Sequence, residues 1–145
     1  MFKDILLPTD GSKGAAEAVN CAVALAKKFD STIHVLFVVE PPRFQDIGAT
    51  AAMNDILRAI REAGEGIVRE TAKLIQDSGV IAVEEVLREG HPAEEILRYA
   101  RENEMDLIVM GTHGRRGLGR LLLGSVTEEV VRTSHIPVLT VRISE

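Results

Sequence analysis

Five short apolar runs alternate with four stretches of helical periodicity, and that alternation is the strongest constraint on what this chain can fold into. The runs are Asp4–Pro8, Thr32–Val39, Ala82–Glu89, Leu107–Met110 and Pro137–Arg142. Between the first two, Ser12 stands where a helix cap is needed. Ala15, Val19, Ala22, Val23, Ala26 and Phe29 then recur at helical spacing. Pro41-Pro42 ends the second run, and a loop carries the chain to about Thr50. A long helical pattern follows through Met53, Ile56, Leu57, Ile60, Ala63, Ile67, Leu74 and Ile75, with Gly79 as its stop. Gly64 and Gly66 sit inside it at a cost of about 1 kcal/mol each relative to alanine, which suggests a bend. Pro92 opens the third helix, with Ile96, Leu97 and Ala100 facing inward. Ser125–Thr133 is the fourth helix, with Val126, Val130 and Val131 on one face. Strands alternating with helices imply a parallel sheet with right-handed crossovers and helices on both faces. The third run carries Glu84, Glu85, Arg88 and Glu89, the marks of an edge strand.

At 145 residues the chain has the size of one domain, 1–145, and its apolar fraction of 46 % supports a substantial core. A net charge of −5 disfavours general affinity for nucleic acid, and aromatics at 3 % leave no stacking platform for bases. Cys21 is the single cysteine, so neither an intrachain disulfide nor a cysteine metal cluster is expected. With no apolar run near the roughly 20 residues of a membrane span and no secretory segment at the start, a cytoplasmic protein is expected.

The candidate site lies at the fourth strand-to-helix crossing. Gly111-Thr112-His113-Gly114 is followed, nine residues on, by Gly124-Ser125. Glycine admits a ligand close to the backbone because no Cβ intervenes, and a helix start offers unpaired N–H groups to an anion. Arg115, Arg116 and Arg120 add positive charge. The competing explanation of Ser125-Val126-Thr127-Glu128 is a capping box with Ser125 as N-cap. That leaves Gly111, Gly114, Gly117 and Gly119 unexplained. Walker-type and dinucleotide fingerprints are absent, as is any nucleophile–base spacing. His34, His91 and His135 show no metal-ligand spacing.

The Gly-x2-Gly-x9-Gly-Ser spacing, with Ile5–Ser12, Gly90-His91-Pro92 and Ser134–Val141, resembles the ATP-binding subclass of the universal stress protein A-like family. The resemblance implies a single doubly wound, Rossmann-like domain of the adenine nucleotide alpha hydrolase-like kind, with strand order 3-2-1-4-5 and four helices. In that order the switch point lies between strands one and four, where ligands bind beyond the strand ends. Thr9-Asp10 and Gly111–Gly114 would meet there. By the same resemblance, Pro8, Thr9 and Asp10 face the nucleoside, with Asp10 accepting from ribose. Val38, Met110 and Gly111 enclose the base; Gly114, Gly124, Ser125 and Val126 surround the phosphates, and Arg115 is a further candidate. ATP, AMP or ADP is the implied ligand, with Mg or Mn on the phosphates. The expected role is a homodimeric switch or adaptor in stress response, in which ATP orders Arg115–Leu123 and alters a surface seen by a protein partner. The alternatives are a slow ATPase using Asp10 and a divalent ion, and an interaction module that binds no nucleotide. Val138–Ile143, apolar except at Thr140 and Arg142, is the expected dimer strand, with neither nucleic acid nor membrane as partner.

Overall fold

The computed structural model describes residues 1–42, 50–112 and 124–142. In chain order these form β1 (Asp4–Pro8), α1 (Lys13–Phe29), β2 (Thr32–Val39), α2 (Thr50–Asp77), β3 (Val83–Glu89), α3 (Pro92–Glu102), β4 (Leu107–Gly111), α4 (Ser125–Thr133) and β5 (Val138–Val141). The strands make one sheet in the order β3-β2-β1-β4-β5. Every neighbouring pair is parallel. The expected α/β architecture and strand order are therefore present. β3 begins one residue later than expected and β5 ends at Val141, so Arg142 falls outside the strand; Ile143 lies outside the described residues.

Alternation along the strands divides the core in two. Ile5, Leu7, Ile33, Val35, Leu107 and Val109 face α1 and α2. Leu6, Leu36, Ile108 and Met110 face α3 and α4. Ile5, Leu6 and Leu7 of the central strand are wholly buried, as a parallel strand covered on both faces requires. Ser12 caps α1 as the sequence suggests, its side chain accepting from the Ala15 N–H at 3.4 Å.

The buried helical stripes differ from those the spacing predicts. In α2 the buried positions are Gly64, Val68, Ala72 and Ile75, spaced by four, four and three, while Leu74 is 63 % exposed. Small residues carry the inward stripe there, and the larger Leu74 lies one residue off it. In α4, Val130 is buried and Val131 is exposed. One residue turns a helix by about 100°, so Val130 and Val131 cannot share a face that already holds Val126. In α3, Tyr99 and Glu95 join Ile96 and Ala100 in the interior.

Gly64 marks a packing contact rather than a bend. A Cβ there would stand 2.5 Å and 2.7 Å from ring carbons of Phe37 on β2, whereas a Cβ on Gly66 would meet nothing within 4 Å. Two neighbouring glycines in one helix should therefore respond oppositely. Gly66→Ala is expected to stabilise the protein by about 1 kcal/mol through helix propensity. Gly64→Ala gains the same propensity but must displace the Phe37 ring, at a cost of about 1–3 kcal/mol, and should come out destabilising. Urea denaturation of both variants checks the opposite signs.

Candidate functional site

β1 and β4 are the central neighbours, yet their ladder spans only Ile5↔Leu107 and Leu6↔Ile108. On the outer sides pairing continues, to Pro8↔Leu36 between β1 and β2 and to Gly111↔Val141 between β4 and β5. The two central strands thus stop pairing short of their carboxyl ends. Pro8 contributes to this, since it has no N–H to donate. The result is the switch point of a doubly wound sheet, where both neighbours turn away to opposite faces.

The loop after β1 is held by its own side chains. The Thr9 N–H donates to the Leu36 carbonyl at 2.9 Å. Thr9 Oγ1 accepts from the Gly11 N–H at 3.1 Å, and Asp10 Oδ1 accepts from the Ser12 N–H at 2.9 Å. Gly11 has φ of 79°, which glycine tolerates without steric cost. Asp10 is thereby fixed at the mouth of the switch point, directly before α1.

Across the gap, Gly111 also has a packing role that the sequence did not suggest. A Cβ on it would lie 2.5 Å from the carbonyl oxygen and 2.6 Å from the carbonyl carbon of Gly14. The missing side chain admits the backbone of α1. Gly111 is a packing glycine, so its identity is explained without a ligand. No local pattern reveals this, because the two residues are far apart in sequence.

The start of α4 is pinned to the end of β4. The Gly124 N–H donates to the Thr112 carbonyl at 2.6 Å, and Thr127 Oγ1 donates to the Gly111 carbonyl at 2.9 Å. Gly124, not Ser125, is the N-cap, with φ −60° and ψ 154°, and among the described residues no side chain caps the helix. The capping-box reading of Ser125 and Glu128 is therefore overturned. Ser125 is already helical and exposed, and Glu128 pairs with Arg132 at 3.0 Å. A bare helix N-terminus of this kind presents N–H groups and a partial positive charge.

Val38, Met110 and Val126 pack against one apolar cluster on the α3–α4 face. Pro8 is buried at the end of β1. The structure therefore gathers Pro8, Thr9, Asp10, Met110, Gly111, Gly124, Ser125 and Val126 around the carboxyl ends of β1 and β4, with Val38 near the end of β2. Gly114 and Arg115, with His113, Arg116 and Arg120, lie outside the described residues.

Two polar clusters went unnoticed in the sequence. His91, at the start of α3, contacts Glu129 of α4 at 3.2 Å, and this hydrogen bond raises its pKa. On β2, His34 Nε2 lies 3.0 Å from Asp4 Oδ1 and its Nδ1 lies 2.7 Å from the Tyr99 hydroxyl. That triad packs Tyr99 of α3 against the sheet, with Arg88 over the ring at 5.2 Å. Among the described residues no group of three or more His, Cys, Asp or Glu side chains is placed to hold a metal ion. Likewise, no helix among them is long and apolar enough to cross a membrane.

A helix N-terminus at the switch point of a five-stranded parallel sheet defines a class of doubly wound α/β domain, and comparison with known proteins narrows it. The universal stress protein family model matches residues 1–142. Universal stress protein MJ0531 of Methanocaldococcus jannaschii is 39 % identical over 142 residues, covering 98 % of this chain and 83 % of that protein. The solved structure of MJ0577, from the same organism, superposes with a TM-score of 0.87 at 31 % identity, covering 100 % and 99 % of the two chains. A universal stress protein in complex with cAMP superposes with a TM-score of 0.75 at 28 % identity, covering 98 % of each chain. The chain belongs to the universal stress protein family.

Proposed function

We propose that this universal stress protein binds ATP at the β1–β4 switch point and acts as a homodimeric, nucleotide-dependent switch or adaptor. The observation that carries the reading is the start of α4: its N-terminus has no side-chain cap among the described residues, sits behind a glycine, and is bonded to the end of β4. Such an end suits a phosphate chain. Gly124 leaves room for the anion, the N–H groups of Ser125 and Val126 donate to it, and the Ser125 hydroxyl adds a bond. Gly114 and Arg115 extend the same cradle by resemblance. Pro8, Thr9, Val38, Met110 and Gly111 line the base, and Asp10 accepts from ribose hydroxyls. The relative solved with cAMP supports an adenine nucleotide in this fold. Mg or Mn would neutralise phosphate charge when bound. Occupancy changes the surface that residues 115–123 offer a protein partner in the stress response, within the cytoplasm and apart from nucleic acid and membrane.

Hydrolysis is expected to be slow. Asp10 is the carboxylate the switch point offers, and one of its oxygens is held by the Ser12 N–H. Turnover by pure protein should fall far below the enzymatic median of about 10 per second. Nucleotide released from protein purified without added ligand, identified by mass, tests the reading together with ATP titration. An adenine nucleotide supports it, while protein that carries none and takes up none refutes it.

The dimer reading rests on the two sheet edges. β3 exposes Glu84, Glu85 and Glu89, the charges of an edge left in water. β5 exposes Leu139 and Thr140 instead, while Val138 and Val141 pack inward. Two β5 strands meeting antiparallel across a two-fold axis would close the assembly. Static light scattering should give a dimer for wild type and a monomer for Leu139→Lys. A monomeric wild type refutes the dimer, and a folded, dimeric variant places the interface elsewhere.

A further inference from the structure

Thr127 is the third residue of α4, and its side chain is almost wholly buried. A threonine in a first helical turn ordinarily bonds solvent or nearby backbone. This hydroxyl instead donates to the Gly111 carbonyl, sixteen residues back in the chain, at 2.9 Å. The Gly124 N–H, one turn earlier, donates to the next carbonyl, that of Thr112, at 2.6 Å. One such bond would let the helix pivot about its first residue. Two bonds, from positions three residues apart to successive carbonyls of one strand end, fix both the tilt of α4 and its rotation about its own axis. The N–H groups of Ser125 and Val126 lie between the two fastening points. Their direction is set by this pair of bonds and by Val130, buried one turn further along.

We propose that Thr127 is a positioning residue for the phosphate end of the nucleotide site. It touches no ligand and acts by aiming the α4 N-terminus along the end of β4. The inference rests on the nucleotide reading above. Helix N–H groups bind an anion well only when preorganised toward it, so a small rotation of α4 weakens phosphate contacts and leaves the nucleoside contacts on β1 and β2 in place.

The test compares ATP with adenosine on wild type, Thr127→Val and Thr127→Ser. Valine keeps the shape of threonine and removes the donor. Thr127→Val should bind ATP about tenfold more weakly, equivalent to about 1.4 kcal/mol, and adenosine within about twofold of wild type. Thr127→Ser, which keeps the hydroxyl, should recover most of the ATP affinity. If the valine variant lacks native circular dichroism, Thr127→Ala is titrated in its place. A folded hydroxyl-less variant that binds ATP as wild type does overturns the role of Thr127. Equal losses for ATP and adenosine also overturn it, since they indicate general disruption of the fold. A wild type that binds neither ligand overturns the nucleotide reading itself, a result distinct from both.

Discussion

Gly111→Val should lower the thermal midpoint of the ligand-free protein by about 10 °C. Its Cβ would be forced to within 2.5 Å of the Gly14 carbonyl oxygen, 2.6 Å of its carbon and 3.1 Å of its Cα. All three atoms are backbone, so no side chain can rotate away. Relief requires α1 and β4 to separate, and both are built into the same core through Ala18, Ala22, Leu107 and Val109. Overpacking of this kind costs about 3 kcal/mol at the upper end of its usual range. In a domain of this size each kcal/mol moves the midpoint by about 3 °C. Scanning calorimetry without nucleotide is the check. A glycine needed only for ligand approach would leave that midpoint unchanged, so the experiment separates the packing role from the binding role.

Gly124→Val should do the reverse, sparing the fold and abolishing ATP binding. The φ of −60° and ψ of 154° at Gly124 are open to any residue, valine included. Loss of a favourable N-cap costs about 1 kcal/mol. The two methyl groups would stand at the start of α4, where the phosphates are proposed to lie. We expect at least about a hundredfold loss of ATP affinity, equivalent to about 2.7 kcal/mol. At a hundred times its Kd, ATP should stabilise wild type by about 2.7 kcal/mol, and it should stabilise the variant by no more than about 0.4 kcal/mol.

The layout of the fold was legible because the signals that encode it are local. Apolar runs such as Ile5–Leu7 and Leu107–Met110 announce buried parallel strands, and Ser12, Gly79 and Pro92 punctuate the helices as their backbone chemistry dictates. The inward stripe of α2 was misread because Gly64 and Ala72 are too small to stand out, although smallness is what lets that helix lie close to Phe37. The switch point followed from strand order. What sequence could not show are contacts between distant residues that bear no mark of each other. Gly14 against Gly111, Thr127 to Gly111, and His34 between Asp4 and Tyr99 are all of this kind. A single sequence also offered two explanations of Ser125, as a cap or as a phosphate ligand. Only the backbone angles at Gly124 removed the cap.

Isothermal titration of ATP into wild type and into folded Gly124→Val, at two temperatures so that a vanishing enthalpy cannot hide binding, decides whether the start of α4 holds the phosphates. Saturable binding of one ATP per wild-type chain, with none to the variant, is the predicted result. A Gly124→Val protein that binds ATP as tightly as wild type, or a wild type that binds none, would contradict it.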